Sequence, residues 1–151
     1  MKLEVGDVLP NFKGTDQDGN EFNSADVIGK KPCVLFFYPK DFTPGCTSEV
    51  CNFRDSYQDF QDLGAEVIGI SGDSEASHKK FSLKYELPYT LLSDSKGSIR
   101  KKLSVKKSLF GLIPGRETFV IDKNGVIQMR FNNLDASRHM KKALKKVKDL
   151  V

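Results

Sequence analysis

The stretch Cys33–Cys51, CVLFFYPKDFTPGCTSEVC, joins an apolar run to two cysteines and decides how the rest of the chain is interpreted. Its first part, Cys33–Tyr38, is apolar with β-branched and aromatic residues, which predicts a buried strand. Prolines and a glycine between positions 39 and 45 end that strand. A helical pattern then begins near Cys46, so we expect its sulfur in the first turn of a helix. There, unpaired backbone N–H groups and the helix dipole favour a thiolate over a thiol.

The spacing between Cys46 and Cys51 limits what the pair can do. In a helix, residues five apart are about 140° apart around the axis, and their Cα atoms are about 8.7 Å apart. A disulfide tolerates a Cα separation of up to about 7 Å. A redox pair at this spacing can therefore bond only if the first turns of the helix unwind. The alternative is two ordinary buried thiols, because free cysteine is among the most buried residue types.

The order of the other predicted elements indicates an α/β fold. We expect an N-terminal hairpin over Phe12–Phe22 around Asp18-Gly19, strands over Pro32–Tyr38 and Ala65–Ser71, a short segment over Thr90–Ser93, and strands over Thr118–Asp122 and Val126–Phe131 joined by Asn124-Gly125. We expect helices over Cys46–Leu63 ended by Gly64, Ser74–Tyr85 capped by Ser74, Ser98–Leu103, and a last helix opened by Asp135 or Ser137. A βαβ core followed by a β-hairpin and a helix predicts a central mixed sheet flanked by helices.

Length and composition place all of this in one domain, residues 1–151, which is long enough for a proper core. The net charge is +4, and the lysines cluster late, at 101–102, at 106–107 and in the tail KKALKKVK (141–148). In the tail, Met140, Leu144, Val147 and Val151 recur at helical spacing between lysines, so we expect a docked helix with a solvated face rather than a nucleic-acid site. We expect no signal peptide in the charged N-terminus and no membrane span, since no apolar stretch reaches membrane-spanning length. Three cysteines, an odd number, fit a reducing compartment with transient disulfides.

The residues around the cysteines resemble the peroxiredoxin active site. The motif consists of Pro39-x-x-x-Thr43-x-x-Cys46, then Glu49, and a distant Arg116 in PGRETFVID. The Cys46-x4-Cys51 pair is similar to the peroxiredoxin Q, or bacterioferritin-comigratory, type. The resemblance continues over nearly the whole chain, in VGDVLPNF, VIGISGDS, YTLLSD and PGRETFVIDKNGVI. It implies a thioredoxin-like fold with an N-terminal β-hairpin extension.

The resemblance also implies an antioxidant activity and its chemistry. Such a protein is a thiol peroxidase that reduces hydrogen peroxide and organic hydroperoxides to water and alcohols. Cys46 would be the peroxidatic nucleophile, oxidised to a sulfenic acid. Cys51 would be the resolving thiol that forms an intramolecular disulfide with it. Thioredoxin or a similar dithiol would reduce that disulfide, and no cofactor or metal is implied.

Electrostatics gives Arg116 a specific task. An unperturbed cysteine has a pKa of ~8.5, so only about 3% of it is thiolate at pH 7. Lowering that pKa to about 6 requires roughly 3.4 kcal/mol of differential stabilisation, whereas a helix N-terminus supplies at most ~2 kcal/mol. A nearby guanidinium is needed, and the resemblance places Arg116 there. From the sequence alone, Arg116 is equally well a surface residue of the turn after Pro114-Gly115.

The remaining motif residues each have a chemical role beside an ordinary one. Thr43 can offer its hydroxyl to the peroxide or simply cap the helix. The backbone N–H groups of Gly45 and Cys46 can stabilise developing charge on the leaving oxygen. Pro39, together with Pro44, can shield the thiolate and stiffen the loop. Glu49 can hold Arg116 or be a plain carboxylate in the first turns.

The third cysteine and the two histidines have no predicted role in the chemistry. Cys33 begins an apolar strand, so we interpret it as a small buried hydrophobe. His78 and His139 lie in lysine-rich helical stretches with nothing to suggest a ligand site, and no metal-binding spacing occurs.

Two other classes of function remain open at this stage. A thioredoxin-like disulfide reductase would require C-x-x-C, and a glutathione-peroxidase-type enzyme would require a tryptophan, which the chain lacks. A non-enzymatic redox sensor would oxidise once and stall. We expect a cytoplasmic monomer that binds neither nucleic acid nor membrane. The alternative is a mature plastid protein of stroma or lumen, because FGLIPGRETFVIDKNGV also resembles the plastid and cyanobacterial branch.

Overall fold

The computed structural model describes residues 3–105, 107–108 and 113–151. The strands are β1 (Lys13–Asp16), β2 (Glu21–Asn23), β3 (Cys33–Phe37), β4 (Glu66–Ser71), β5 (Thr90–Ser93), β6 (Lys107–Ser108), β7 (Ile113–Pro114), β8 (Glu117–Ile121) and β9 (Ile127–Asn132). The α-helices are α1 (Pro44–Asp55), α2 (Tyr57–Asp62), α3 (Glu75–Tyr85), α4 (Ser98–Lys102) and α5 (His139–Leu150), with 3₁₀ turns at Ser24–Asp26 and Ala136–Arg138.

The strand predicted from the apolar run, β3, lies near the centre of a seven-stranded mixed sheet. The strand order is β2-β1-β5-β4-β3-β8-β9, with β3 parallel to β4 and antiparallel to β8. All five β3 residues are buried. Alternate side chains enter two different cores: Val34 and Phe36 pack with α1, α2, α3 and α5, whereas Leu35 and Phe37 pack on the opposite face. The expected α/β architecture is confirmed.

The predicted turns occur where the sequence indicates them. β1 and β2 form the N-terminal hairpin, and its Gly19 has a φ of +81°, which a side chain would disfavour. β8 and β9 form the second hairpin around Asn124-Gly125. Ser74 caps α3 by accepting a hydrogen bond from the Ser77 N–H at 3.1 Å.

One predicted helix, Cys46–Leu63, is wrong in its extent and continuity. The helix begins two residues earlier, at Pro44, because proline is well tolerated in the first turn, where its missing N–H is not needed. It is broken at Ser56, with φ −104° and ψ 5°, into α1 and α2. The break leaves both Phe53 and Phe60 fully buried, with ring centroids 5.9 Å apart.

Three features of the structure differ from the predicted elements. Thr90–Ser93 is a full sheet strand, parallel to β4. Asp135 caps the short 3₁₀ turn, and α5 itself begins at His139. The β6–β7 pair was absent from the predicted elements. Parts of two sequence features lie outside the described residues, namely Lys106 of the lysine pair 106–107 and residues 110–112 of the FGLIPG segment.

The C-terminal helix docks as expected. Ala143 and Val147 are buried, and Met140 and Leu144 pack at the edge of the same core. Val151 is exposed. Over the described ranges, no helix is both long and apolar enough to cross a membrane.

Candidate active site

Cys46 lies in the first turn of α1, beyond the carboxyl end of β3. The chain leaves β3, passes Pro39 and enters the helix at Pro44, so Cys46 is the third helical residue. Its side chain is only 1% exposed and belongs to the apolar core beneath α1. The predicted placement of this thiol is confirmed.

Strand pairing brings Arg116 to the same place. The β3–β8 ladder is antiparallel and ends with Phe37 opposite Glu117, so the residue before β8 reaches the end of β3. The Arg116 Nη2 atom lies 3.4 Å from the Cys46 sulfur, although the two residues are 70 positions apart. Arg116 is 6% exposed, which rules out the alternative of a surface turn residue.

Glu49 and a backbone carbonyl orient the guanidinium. Glu49 lies one turn after Cys46, and its Oε1 accepts a hydrogen bond from Arg116 Nη1 at 2.5 Å. Arg116 Nε donates to the Leu134 carbonyl at 3.1 Å. Burial alone would lower the pKa of Arg116, but Glu49 and Cys46 raise it above its ordinary value. The guanidinium is therefore fixed on three sides and stays charged.

The second oxygen of Glu49 is buried without a hydrogen-bond partner. Burial raises the pKa of Glu49 to about 7, and Arg116 only partly opposes this. The nearest ring nitrogen, His139 Nδ1, is 3.6 Å from Glu49 Oε2. This contact does not supply the missing hydrogen bond.

His139 keeps its own partners and stays neutral. Its Nε2 lies 2.7 Å from the Asn133 carbonyl, so Nε2 carries the hydrogen, and Nδ1 accepts from the Thr118 hydroxyl at 2.7 Å. Burial lowers the pKa of His139 to about 4. The sequence interpretation missed this residue, because the lysines that follow it in the helix suggested a solvated helix face. Its position at the start of α5 was the available signal.

Gly45 and Thr43 shape the loop before the thiol. A Cβ on Gly45 would lie 3.3 Å from Arg116 Nη2, so a side chain there would crowd the guanidinium. Thr43 occupies the N-cap position, but its hydroxyl donates to the Lys40 carbonyl at 2.8 Å and does not cap the helix. Of the alternative considered for Thr43, the N-cap position is therefore confirmed, but the capping hydrogen bond from its side chain is not present. Pro39 is half-buried between β3 and this loop.

The other two cysteines differ in their surroundings. Cys51 is half-buried on α1, and burial raises its pKa. Cys33 is fully buried, and burial raises its pKa strongly, as expected for a packed hydrophobe. All three cysteines are free thiols in this structure.

A second buried polar cluster lies beside the loop that precedes α1. Asp41 Oδ1 accepts from the Tyr38 hydroxyl at 2.7 Å, and Oδ2 accepts from the Ser77 hydroxyl at 2.8 Å. His78 Nδ1 lies 2.7 Å from the same Oδ2, and its Nε2 lies 3.0 Å from the Leu92 carbonyl. Since a carbonyl can only accept, Nε2 carries a hydrogen and a further proton is shared between His78 and Asp41. No motif in the sequence indicated this cluster.

Asp41, Asp73 and His78 offer ligand atoms within 4.8 Å of one another, the spacing of a small metal site. Each of these atoms is already engaged. Asp73 Oδ2 accepts from the Asp41 N–H at 2.8 Å and from the Ser71 hydroxyl at 2.7 Å. The donor set therefore forms a hydrogen-bonded network that ties the loop to α3.

Comparison with known proteins agrees with the geometry. The sequence model of the AhpC/TSA family matches residues 5–130. The chain is 51% identical to "Peroxiredoxin Q, chloroplastic" of Triticum aestivum over 150 residues, which is 99% of this chain and 69% of the relative. The crystal structure of peroxidoxin BcpB from Mycobacterium tuberculosis superposes with a TM-score of 0.90 at 34% identity, covering 99% of both chains. The bacterioferritin comigratory protein of Xanthomonas campestris, described for its alkyl peroxide reduction activity, superposes with a TM-score of 0.83 at 27% identity, covering 91% of this chain and 90% of that one.

A thioredoxin-like fold with a buried cysteine at the start of a helix, beside an arginine, defines a thiol peroxidase. The chain belongs to the AhpC/TSA family and, within it, to the peroxiredoxin Q type.

Proposed function

We propose that this peroxidase reduces hydroperoxides through Cys46, with Cys51 as the resolving thiol and a thioredoxin-type dithiol as reductant. The observation that carries the proposal is the 3.4 Å contact between the Cys46 sulfur and Arg116 Nη2 in the first turn of α1. A fixed positive charge and a helix N-terminus both favour the thiolate, which is the form that attacks peroxide.

In the first half-reaction, the Cys46 thiolate attacks one oxygen of the hydroperoxide and the O–O bond breaks. The sulfur becomes a sulfenic acid, and the leaving hydroxide or alkoxide takes up a proton to become water or an alcohol. Negative charge develops on the leaving oxygen during this step. Donors already held in place stabilise it without reorganisation, and Arg116 is such a donor because Glu49 and the Leu134 carbonyl fix its orientation.

In the second half-reaction, the Cys51 thiol attacks the sulfenic sulfur, a disulfide forms and water leaves. The first turns of α1 must open for this, since the two residues are five positions apart on one helix. Opening breaks the Glu49–Arg116 pair and the hydrogen bond from the Tyr89 hydroxyl to the Val50 carbonyl, which is 2.6 Å long.

The far end of α1 has a separate anchor. Phe53 stacks on Phe36 of β3 with ring centroids 4.3 Å apart. We therefore expect the unwinding to be confined to residues 46–51, with the later turn held on the sheet.

A dithiol of the thioredoxin class would then reduce the disulfide and complete the cycle. The net reaction consumes one hydroperoxide and one dithiol and yields an alcohol or water, a second water and the oxidised partner. Alkyl hydroperoxides and hydrogen peroxide are both proposed substrates, with the Xanthomonas campestris relative supporting the alkyl class.

The test is turnover of hydrogen peroxide and of an organic hydroperoxide with thioredoxin supplied. Wild-type protein should cycle, and Cys46→Ser should abolish peroxide consumption while keeping the fold. Cys33→Ala is the matched control, because the Cys33 thiol is fully buried in the core on the opposite face of the sheet. This variant should keep the peroxidase turnover of the wild type. A single oxidation without cycling would instead identify a redox sensor.

Peptide mapping after one equivalent of peroxide tests the role of Cys51. The expected product is a Cys46–Cys51 disulfide within one chain. A crosslink to Cys33, or a disulfide between two chains, would overturn the resolving role.

The proposal for the compartment is supported by the relatives rather than by the site. The sequence favoured the cytoplasm, but the named relative is chloroplastic, so we propose the plastid alternative. A monomeric state and the lack of nucleic-acid or membrane binding stay predictions, to be checked by light scattering and sedimentation with DNA or vesicles.

A further inference from the structure

Arg100 is a buried arginine outside the recognised motif, and it contacts both segments that build the active site. Its Nη1 donates to the Gly115 carbonyl at 3.1 Å, and its Nη2 donates to the Tyr38 carbonyl at 3.2 Å. Gly115 immediately precedes Arg116, and Tyr38 immediately precedes Pro39. One planar guanidinium therefore joins the backbone leading into Arg116 to the backbone leading towards Cys46.

The sheet itself does not join these two segments. The register between β3 and β8 ends at Phe37 and Glu117, and the Tyr38 N–H bonds to the Ile70 carbonyl of β4 instead. Pro39 has no N–H with which to extend the ladder. Beyond the last pair, Arg100 supplies the cross-connection that backbone hydrogen bonds no longer provide.

The surroundings of Arg100 show that its position is held at an energetic cost. Its side chain is buried, and its Nε has no hydrogen-bond partner. No carboxylate in the part of the chain that the structure describes lies within ion-pair distance of it. Burial lowers the pKa of Arg100. A buried cation without an ion pair is unfavourable for stability. We therefore expect the role of Arg100 to lie in the backbone geometry that it holds and not in a gain of stability.

The local structure fixes where the fork lies. The guanidinium stacks 5.3 Å from the centroid of the Phe37 ring. At the start of α4, Asp94 accepts hydrogen bonds from the Ile99 N–H at 2.9 Å and the Arg100 N–H at 3.0 Å. Both the backbone and the head group of Arg100 are thereby held.

We propose that Arg100 is a positioning residue for Arg116, setting the separation between the Gly115 and Tyr38 carbonyls and hence the placement of the Arg116 fork against the Cys46 sulfur. This inference rests on the proposed function of Arg116 in the peroxide reaction. Among the described residues no hydrogen bond joins Arg100 to the sulfur, but its charge interacts with Cys46 through space. A variant that keeps the charge is therefore needed to test positioning.

The test is Arg100→Lys, which keeps the charge but replaces the planar fork with a single flexible ammonium. Stopped-flow oxidation of the reduced variant by hydrogen peroxide should slow by about 10- to 100-fold, because small misplacements of a catalytic group carry such costs. Should the lysine variant fail to fold, Arg100→Gln removes the buried charge and should show the same loss.

Arg130→Lys is the matched control for a purely structural effect. Like Arg100, Arg130 has a largely buried side chain that stacks on a phenylalanine, 4.9 Å from the centroid of the Phe119 ring. It also donates hydrogen bonds to two backbone carbonyls, those of Leu3 and Ser104. Neither carbonyl adjoins a site residue. Arg130 also forms an ion pair with Glu117, the residue after Arg116, and a lysine at position 130 keeps a cation beside that carboxylate. Both lysine variants should lose thermal stability, and only Arg100→Lys should lose peroxide reactivity. Equal peroxide rates in the two variants would overturn the proposal.

A double-mutant cycle with Arg116→Lys separates positioning from general damage. If Arg100 acts through Arg116, Arg100→Lys should have little further effect on the peroxide rate once Arg116 is replaced. The same fold-loss in both backgrounds would contradict the proposal. If Arg116→Lys alone keeps the wild-type rate, the proposed role of Arg116 fails and this inference with it. If Arg116→Lys is slow but Arg100→Lys is fast, only this inference fails.

Discussion

Two buried clusters, one before α1 and one on it, each place a carboxylate beside a histidine but hold their protons differently. In the first, Asp41 accepts from Tyr38 and Ser77 and shares a proton with His78, so both of its oxygens are occupied. In the second, Glu49 has one oxygen on Arg116 and the other without a partner, beside the neutral His139.

The difference distinguishes an anchor from a site that can change. A saturated buried carboxylate has no better arrangement available and resists rearrangement. An under-satisfied one is less tightly held. The first cluster ties the loop to α3, which does not need to move, whereas Glu49 lies in the turns that we propose to unwind. We therefore expect substitutions in the first cluster to affect stability, and those in the second to affect reactivity and its pH dependence.

The largest effect is expected for Arg116→Lys in the second cluster. Lysine keeps the charge but not the planar fork that holds Glu49 and faces Cys46. Losing a donor aimed at developing charge typically costs about 10²–10³ in rate. Stopped-flow kinetics should show this loss in oxidation by peroxide and not in reduction by thioredoxin. A peroxide rate within about threefold of wild type would leave Arg116 a structural residue only.

Next in size is His78→Asn in the first cluster. Removing one partner of a buried pair leaves Asp41 uncompensated, so the free energy of unfolding should fall by about 3 kcal/mol. The double variant with Asp41→Asn should lose less than the sum of the two single losses, as coupled neighbours do. Urea unfolding of the reduced proteins measures both. A peroxide rate lowered as much as in Arg116→Lys would erase the distinction between the clusters.

Glu49→Gln should change how stability depends on pH. Because burial raises the pKa of Glu49 from 4.5 to about 7, the folded state binds the extra proton, and its contribution to stability is lost as pH rises through about 7. Glutamine keeps an acceptor for Arg116 and does not titrate. Wild type should therefore lose stability relative to the variant between about pH 4.5 and 7.

The same variant exposes the opposite contribution of His139. Burial lowers the pKa of His139 from 6.5 to about 4. The contribution of His139 to the free energy of unfolding is therefore fully present above pH 6.5 and is lost as the pH falls through about 4. With Glu49 replaced, stability should rise with pH over that window. Parallel curves for wild type and variant, measured by urea unfolding of the reduced proteins, would contradict the assignment.

The smallest effect is expected for Tyr38→Phe, which removes one of the donors to Asp41 and no charge. A single hydrogen bond to a charged group contributes about 1.5–3 kcal/mol at most, and the remaining donors to Asp41 should bring the loss towards 1 kcal/mol. The peroxide rate should not change, since the Tyr38 carbonyl that Arg100 holds is untouched. A slower peroxide reaction would show that the first cluster also serves the chemistry.

Structural features set by interactions between residues close in the chain were predicted more accurately than those set by distant residues. The strand Cys33–Tyr38, the two hairpin turns and the Ser74 cap were predicted correctly, because short-range patterns determine them. The predicted helix Cys46–Leu63 failed at Ser56, where no glycine or proline marks a break and packing of Phe53 and Phe60 replaces local propensity.

Local sequence was enough to predict the nucleophile candidate, its helix-start position and its spacing from Cys51, since all three lie within one short segment. Family resemblance added Arg116 and Glu49. Four contacts became visible in the folded chain alone: Arg116 touches the sulfur, His139 faces Glu49, His78 shares a proton with Asp41, and Arg100 joins the segments before Arg116 and before Pro39. Strand register and helix docking create these contacts between residues far apart in the chain, and burial then sets their charge states.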